Sequence, residues 1–214
     1  MTRPPLRRYD IFRNMTFELF CPDVVNKLPA LAACTYPWQA VELIQNVIRE
    51  AIPGLGDDYQ TKDEIAIHKD ARVDPTAVIL APAIINAGAF IGPHALLRGG
   101  VYVGAYSSIG PGCEIKRSLI GEHTALAHFN FVGDSIVGSR VNFEAGAITA
   151  NHYNEREDKT IAALWDGRVM ATGVTKFGAC IGDDTKVGAN AVTSPGTILE
   201  PKSVVRRLEL IEQI

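Results

Sequence analysis

Apolar residues recur along most of the chain with a period of six. Read from Ile67, every sixth position is aliphatic: Ile67, Val73, Ile79, Ile85, Ile91, Leu97, Val103, Ile109 and Ile115. Four positions after each of the first eight stand Ala71, Ala77, Ala83, Ala89, Ala95, Val101, Ser107 and Cys113, small residues almost throughout. The series continues through Ile120, Leu126, Val132, Val137, Phe143 and Thr149, and resumes at Ile181, Val187, Thr193, Leu199 and Val205. A period of six is neither the 3.6 of a helix nor the 2 of a simple strand. It requires short strands separated by tight corners, each strand sending one aliphatic and one small side chain inward. Three such strands close a triangular coil, and successive coils pair through backbone hydrogen bonds ~4.8 Å apart. The expected fold class is therefore all-β, a parallel β-helix of hexapeptide repeats over residues 66–205.

The interruptions carry information too. The steps from Ile115 to Ile120 and from Val132 to Val137 are each one residue short. Counted in threes, they fall on the same side of the prism one coil apart, as a stacked change of register would. Residues 150–176 break the repeat altogether. Asn151 to Asp158 is polar and reads as a loop leaving the coil. Asp166-Gly167 between two apolar runs predicts a hairpin. Long excursions of this kind often cover a neighbouring subunit, so this loop is expected to cross to a partner.

Residues 1–65 form a different, partly helical arm. Val41, Ile44, Val47, Ile48 and Ile52 follow helical spacing within Trp38–Ile52, with Pro37 at the start and Pro53-Gly54 at the end. Asp23 to Ala33 is a candidate second helix that Pro29 works against. The arm is expected to pack on the coil or a partner, and residues 206–214 to form a short C-terminal helix.

Composition narrows the class. Apolar residues make up 47% and charged residues 21%, with a net charge of -3, so general affinity for nucleic acid or anionic membrane is not expected. Cys21, Cys34, Cys113 and Cys180 match no zinc spacing and read as reduced thiols of a cytoplasmic protein, the last two as core. Neither a secretory signal nor a membrane span is expected.

The candidate chemistry lies in Ala127-His128-Phe129-Asn130-Phe131-Val132-Gly133-Asp134 and Val141-Asn142-Phe143-Glu144-Ala145-Gly146-Ala147-Ile148-Thr149-Ala150-Asn151. With Lys176-Phe-Gly-Ala-Cys-Ile-Gly-Asp183 and Pro195-Gly196, these segments resemble two related groups. One is the acetyltransferase domain of the bifunctional glucosamine-1-phosphate N-acetyltransferase / N-acetylglucosamine-1-phosphate uridylyltransferase. The other is the related sugar-1-phosphate nucleotidylyltransferases that also acetylate. The resemblance covers about residues 66–205. It implies a left-handed coil, a homotrimer with sites between prisms, acetyl-CoA as acyl donor and an amino-sugar phosphate as acceptor. It implies His128 as catalytic base, Arg98 and Lys116 as phosphate ligands, and Asn142 and Asn151 in the sugar site. Ala145 would face the thioester. Two positions depart from the pattern: Phe131 stands where the family has Tyr, and Glu157 where it has Lys, with Lys159 able to compensate from two residues away.

Part of this follows from geometry alone. Arg98 and Lys116 are one coil apart and each directly follows an inward aliphatic residue, so they should stack on one outward edge, where a phosphate between them would relieve their repulsion. An imidazole, whose ordinary pKa lies near neutrality, suits removal of a proton from an attacking amine. A backbone N–H near Ala145 would stabilise developing oxyanion charge. The pantetheine arm is expected in a groove at Ala145, Ala179 and Ala189, with Arg206 or Arg207 on the nucleotide phosphates. His68 and His94 read as solvated surface residues, whereas His152 lies beside Asn151. No metal is expected: His123 and His128 resemble part of a three-histidine zinc site of carbonic-anhydrase type, but Ala87 stands where the third histidine would be. Uridylyl transfer by this chain alone is not expected, because residues 1–65 contain no Gly-rich nucleotide loop. The alternative to an enzyme is a non-catalytic trimeric module that binds a sugar phosphate or sugar nucleotide.

Overall fold

The protein is described by a computed structural model that covers residues 16–214; residues 1–15, and with them the start of the arm, lie outside the described residues. The six-residue series becomes three stacks of parallel strands. One stack pairs Ile67, Ile85, Val103, Ile120, Val137, Ile181 and Leu199 in register. The second pairs Ile79, Leu97, Ile115, Val132, Thr149, Thr193 and Ile211. The third pairs Val73, Ile91, Ile109, Leu126, Phe143, Val187 and Val205. Most of these side chains are buried together with Ala89, Ala95, Cys113, Ala147 and Ala191, the small inward positions. The parallel β-helix is as the period requires.

The C-terminal helix is not present. Val204–Val205 and Leu210–Ile211 are strands that add to the third and second stacks. Ile211 stands six residues after Val205, so the hexapeptide period runs on to the end and outweighs the helical reading of a short polar segment.

The arm behaves largely as its periodicity predicts. Helix α1 spans Pro22–Lys27, and a 3-10 turn at Pro29–Ala33 follows, split from it at Pro29. Helix α2 spans Pro37–Ala51; Pro37 occupies its first turn, and the Gln39 side chain accepts hydrogen bonds from the Thr35 and Tyr36 N–H groups, 3.0 Å each. The apolar stripe of α2, Trp38, Val41, Ile44 and Ile48, lies against Ile84, Tyr102, Leu119, Ile136 and Cys180, the outward side chains of the first stack. A hairpin of Ala162–Trp165 and Arg168–Ala171, turning at Asp166-Gly167, completes the cover: Trp165 packs edge-on to Trp38 and Tyr36, 6.1 and 5.8 Å between ring centroids. Both the described arm and the hairpin of the 150–176 insertion thus dock on their own coil, one of the two positions expected for the arm but not the crossing to a partner expected for the insertion. The reason is chemical: the outward side of the first stack is apolar, and each large aliphatic buried there contributes about 1.5–3 kcal/mol. This side is called the covered face. The outward side of the second stack, the open face, is covered by no element among the described residues, and the third stack forms a third face.

Candidate functional site

The corner at which the chain passes from the open to the covered face departs from the regular repeat in four successive coils. In the first it holds Arg98-Gly99-Gly100, with a register shift between Arg98 and Val101. In the next two it carries the short steps, Lys116-Arg117-Ser118 and Gly133-Asp134-Ser135; in the fourth the 150–176 insertion leaves the coil. Arg117 and Asp134 both adopt positive φ, 44° and 50°. Gly100, at φ +96°, lies against α2, where a Cβ would stand 2.9 Å from the Gln45 side chain. Gly is required there both by the backbone and by the close approach.

Arg98 and Lys116 stack here in register, as their spacing predicts. Each already has a carboxylate. Arg98 meets Glu114 at 2.6 Å, and Lys116 Nζ donates to Asp134 Oδ2 at 2.6 Å. Asp134 has no solvent exposure and also accepts from Arg117 Nε and Asn151 Nδ2. Asn151 is buried, and its carbonyl oxygen lies 3.2 Å from His152 Nδ1. Phe131 points outward from the open face beside this group: a Cβ on Gly133 would stand 2.6 Å from Phe131 Cζ and 2.8 Å from Asn151 Nδ2. The para position of the ring, where a tyrosine would carry its hydroxyl, therefore lies near the Asn151 amide. Arg117 also approaches Glu42 of α2 at 3.9 Å, and a cleft of about 290 Å³ opens between them and Gly173–Lys176. The expected ligands Arg98, Lys116 and Asn151 converge with Phe131; Lys159 and Glu157 are exposed in the insertion.

The corner at the other end of the open face, entered from the third face, holds the second group. Leu126, Phe143, Val187 and Val205 are in register, so His128, Ala145, Ala189 and Arg207 form one column, each two residues further on. The turns are tied together: Gly146 N–H donates to the His128 carbonyl at 2.8 Å and Asn190 N–H to the Ala145 carbonyl at 3.0 Å. The His128 side chain is exposed and, among the described residues, makes no hydrogen bond; the Ala145 N–H likewise has no acceptor among them. Phe129, 73% exposed, lies over Gly112 beside His128. Arg207 is held by two bonds to Glu144, 2.7 and 2.8 Å, and that pairing, with the Ala189 N–H, pulls the Glu144 carboxyl down to about 2.

Two expected positions do not fit a groove in this chain. Ala179 is fully buried in the coil interior, because it occupies the small inward position two residues before Ile181. Arg206 stands one position before the column that Arg207 completes; its N–H donates to Glu209 Oε2 and its carbonyl accepts from the Glu209 N–H. Asn142 is exposed on the third face, paired in register with Ala125 and Lys186, a whole face away from Asn151. His123 lies on another corner, its ring stacked on Tyr106 at 5.1 Å and 14°. Sequence reasoning left two residues without a role. Asp134 was visible in the Gly-Asp pair and Arg117 in the short step beside Lys116.

Residues 79–214 match the family described as the GMPPB C-terminal domain. The chain belongs to that family. Among curated relatives, "Bifunctional protein GlmU" of Ruthia magnifica subsp. Calyptogena magnifica is 33% identical over 138 residues, 62% of this chain and 28% of that protein. The "Bifunctional sugar-1-phosphate nucleotidylyltransferase/acetyltransferase" of Sulfurisphaera tokodaii is 30% identical over 166 residues, 75% of this chain and 41% of that protein. This family member thus spans less than half the length of either relative. Among solved structures, a GDP-perosamine N-acetyl transferase from Caulobacter crescentus in complex with CoA and GDP-perosamine is 14% identical, covering 88% of this chain and 70% of that one, with a TM-score of 0.32. A hexapeptide transferase family protein from Anaplasma phagocytophilum is 18% identical over 65% of this chain and 72% of that one, with a TM-score of 0.31. No helix among the described residues is long and apolar enough to cross a membrane.

Proposed function

We propose that this protein is an acetyl-CoA-dependent N-acetyltransferase acting on an amino-sugar phosphate such as glucosamine-1-phosphate. The observation that carries the reading is the convergence of Arg98, Lys116 and Asn151 on one corner, with His128 and Ala145 in one column at the other end of the same face. Acetyl-CoA supplies the acetyl group as an activated thioester. The column offers it two small residues, Ala145 and Ala189, a free N–H at Ala145, and Arg207 at its end. The phosphate of the acceptor is held between Arg98 and Lys116, with Asn151 on the sugar. The sugar amine attacks the thioester carbonyl, His128 takes the amine proton, and the Ala145 N–H donates to the carbonyl oxygen as charge develops there. The thiol of CoA leaves, and the amide remains on the sugar.

The active assembly is a homotrimer. Among the described residues the open face is uncovered and carries outward Val78, Ile148 and Leu210, 49%, 38% and 57% exposed. A neighbouring prism against it would bring Asn142 from a third face towards Asn151 of another chain. Thioester release against a panel of amino-sugar phosphates tests the reaction; no turnover with any of them removes it. A second reading, a non-catalytic sugar-phosphate module, is favoured by Phe131 and Glu157, and binding without turnover would select it.

A further inference from the structure

We infer that Asp134 is a positioning residue that holds the phosphate-binding side of the acceptor site in shape. The inference rests on the reading above and extends it to a residue that need not touch the substrate. Asp134 is wholly enclosed, and three side chains from two parts of the chain donate to it: Lys116 and Arg117 from the preceding coil and Asn151 from the following one. Its own backbone is fixed on both sides. Its N–H donates to the Lys116 carbonyl at 2.8 Å, and its carbonyl accepts from Gly178 N–H at 2.9 Å. Asn151 and Phe177, at the two ends of the insertion, are joined beside it, with Phe177 N–H donating to the Asn151 carbonyl at 3.0 Å. One residue thus links two successive coils to the loop, its carboxylate to the exit at Asn151 and its backbone carbonyl to the return at Gly178.

The charges explain why a carboxylate is needed. Lys116 and Arg117 are adjacent in sequence, and their side chains are only 18% and 23% exposed, so water screens them poorly from each other. Asp134 between them offsets that repulsion and, through charge-assisted bonds, fixes where both point. The trio keeps one positive charge, and Arg98 stands one coil away with its own acid. An incoming phosphate therefore meets cations already aimed and does not have to order two long side chains itself, which is where affinity would otherwise be lost.

The test is Asp134→Asn, which keeps the shape and one acceptor but removes the charge. The KM for the amino-sugar phosphate should rise about 10- to 100-fold, the range for losing a bond to a charged group. The KM for acetyl-CoA and kcat at saturating acceptor should stay within about twofold of wild type. In a Lys116→Met background the same change should add far less, because Asp134 acts through that lysine. A KM that stays level or falls, a full effect in the Lys116→Met background, or equal damage to both substrates would overturn the inference. Should Asp134→Asn fail to fold, Arg117→Met removes one donor to Asp134 without changing a residue assigned to the substrate, and it must raise the acceptor KM alone. Calorimetry with inorganic phosphate, without acyl donor, separates this inference from the reaction. Phosphate bound by wild type and lost in Asp134→Asn supports the positioning role even where no amino sugar turns over. Phosphate bound equally by both, or by neither, overturns it.

Discussion

At the scale of single residues, the proposed reaction turns on His128. Its imidazole is exposed and without a hydrogen-bond partner among the described residues, so its removal should disturb the fold little. His128→Ala is expected to lower kcat by about 10²–10⁴-fold, the contribution of a positioned base, and to leave acetyl-CoA affinity nearly unchanged. Steady-state kinetics beside a direct CoA-binding measurement checks both halves; wild-type kcat in the variant would remove His128 from the mechanism. Phe131→Tyr makes the complementary prediction. The new hydroxyl would lie near the Asn151 amide, and the KM for the sugar phosphate should fall while that for acetyl-CoA holds. The candidate site was legible to an unequal degree. The stacking of Arg98 on Lys116 could be counted from the sequence, because a fixed coil length turns separation along the chain into position on the prism. Their carboxylate partners could not be: Glu114 and Asp134 reach them through side-chain rotamers, which a repeat pattern does not specify. Ala179 was misplaced because an alanine in this fold is more often an inward spacer than the wall of a groove.

At the scale of elements, the coil is built by repetition, so an irregular member should show itself in stability. Thr149 and Thr193 both occupy inward aliphatic positions of the second stack. Thr149 Oγ1 accepts from the Gly133 N–H at 3.1 Å, whereas the buried Thr193 Oγ1 has no partner among the described residues. Thr193→Val should therefore stabilise the protein by about 1 kcal/mol, seen as a higher denaturation midpoint, while Thr149→Val should destabilise it. The Glu144–Arg207 pair ties two coils together across the second corner. Glu144 titrates near 2 in the folded protein, below its ordinary value, so the pair's contribution is complete above about pH 4.5 and is lost as pH falls towards 2. The pair is exposed and its effect small, yet Glu144→Gln should flatten that part of the stability-against-pH curve; unchanged acid sensitivity would show the pair to be idle. Elements were legible where a period or a breaker was strong: α2, its Pro37 start, the break at Pro29 and the Asp166-Gly167 hairpin all stand where the sequence puts them. The C-terminal segment was misread because its strands are only two residues long, and a polar stretch of that length carries a helical pattern equally well.

At the scale of the whole molecule, the three faces of the prism are unequal, and the inequality bears on assembly. The covered face is closed by the described part of the chain's own arm and by the hairpin. The third face runs outward through Arg72, Phe90, Ser108, Ala125, Asn142, Lys186 and Val204, a mixed polar and apolar surface. The open face runs outward through Val78, Leu96, Glu114, Phe131, Ile148, Val192 and Leu210, apolar at all but one position and in register over seven coils. A contiguous apolar column exposed on a folded domain marks a contact surface. It also runs between the two halves of the proposed site, so a neighbour packed along it would at once shield the column and narrow the gap between His128 and the phosphate ligands. Light scattering at micromolar concentration should accordingly give about three times the 23.2 kDa mass of the chain. Ile148→Asp places a charge in the middle of the column without touching the coil interior. It should shift the protein to a folded monomer, with circular dichroism unchanged and thioester turnover lost together with the trimer. A wild-type monomer that turns over substrate would show that one prism holds a complete site, and a trimer that survives Ile148→Asp would move the interface to another face.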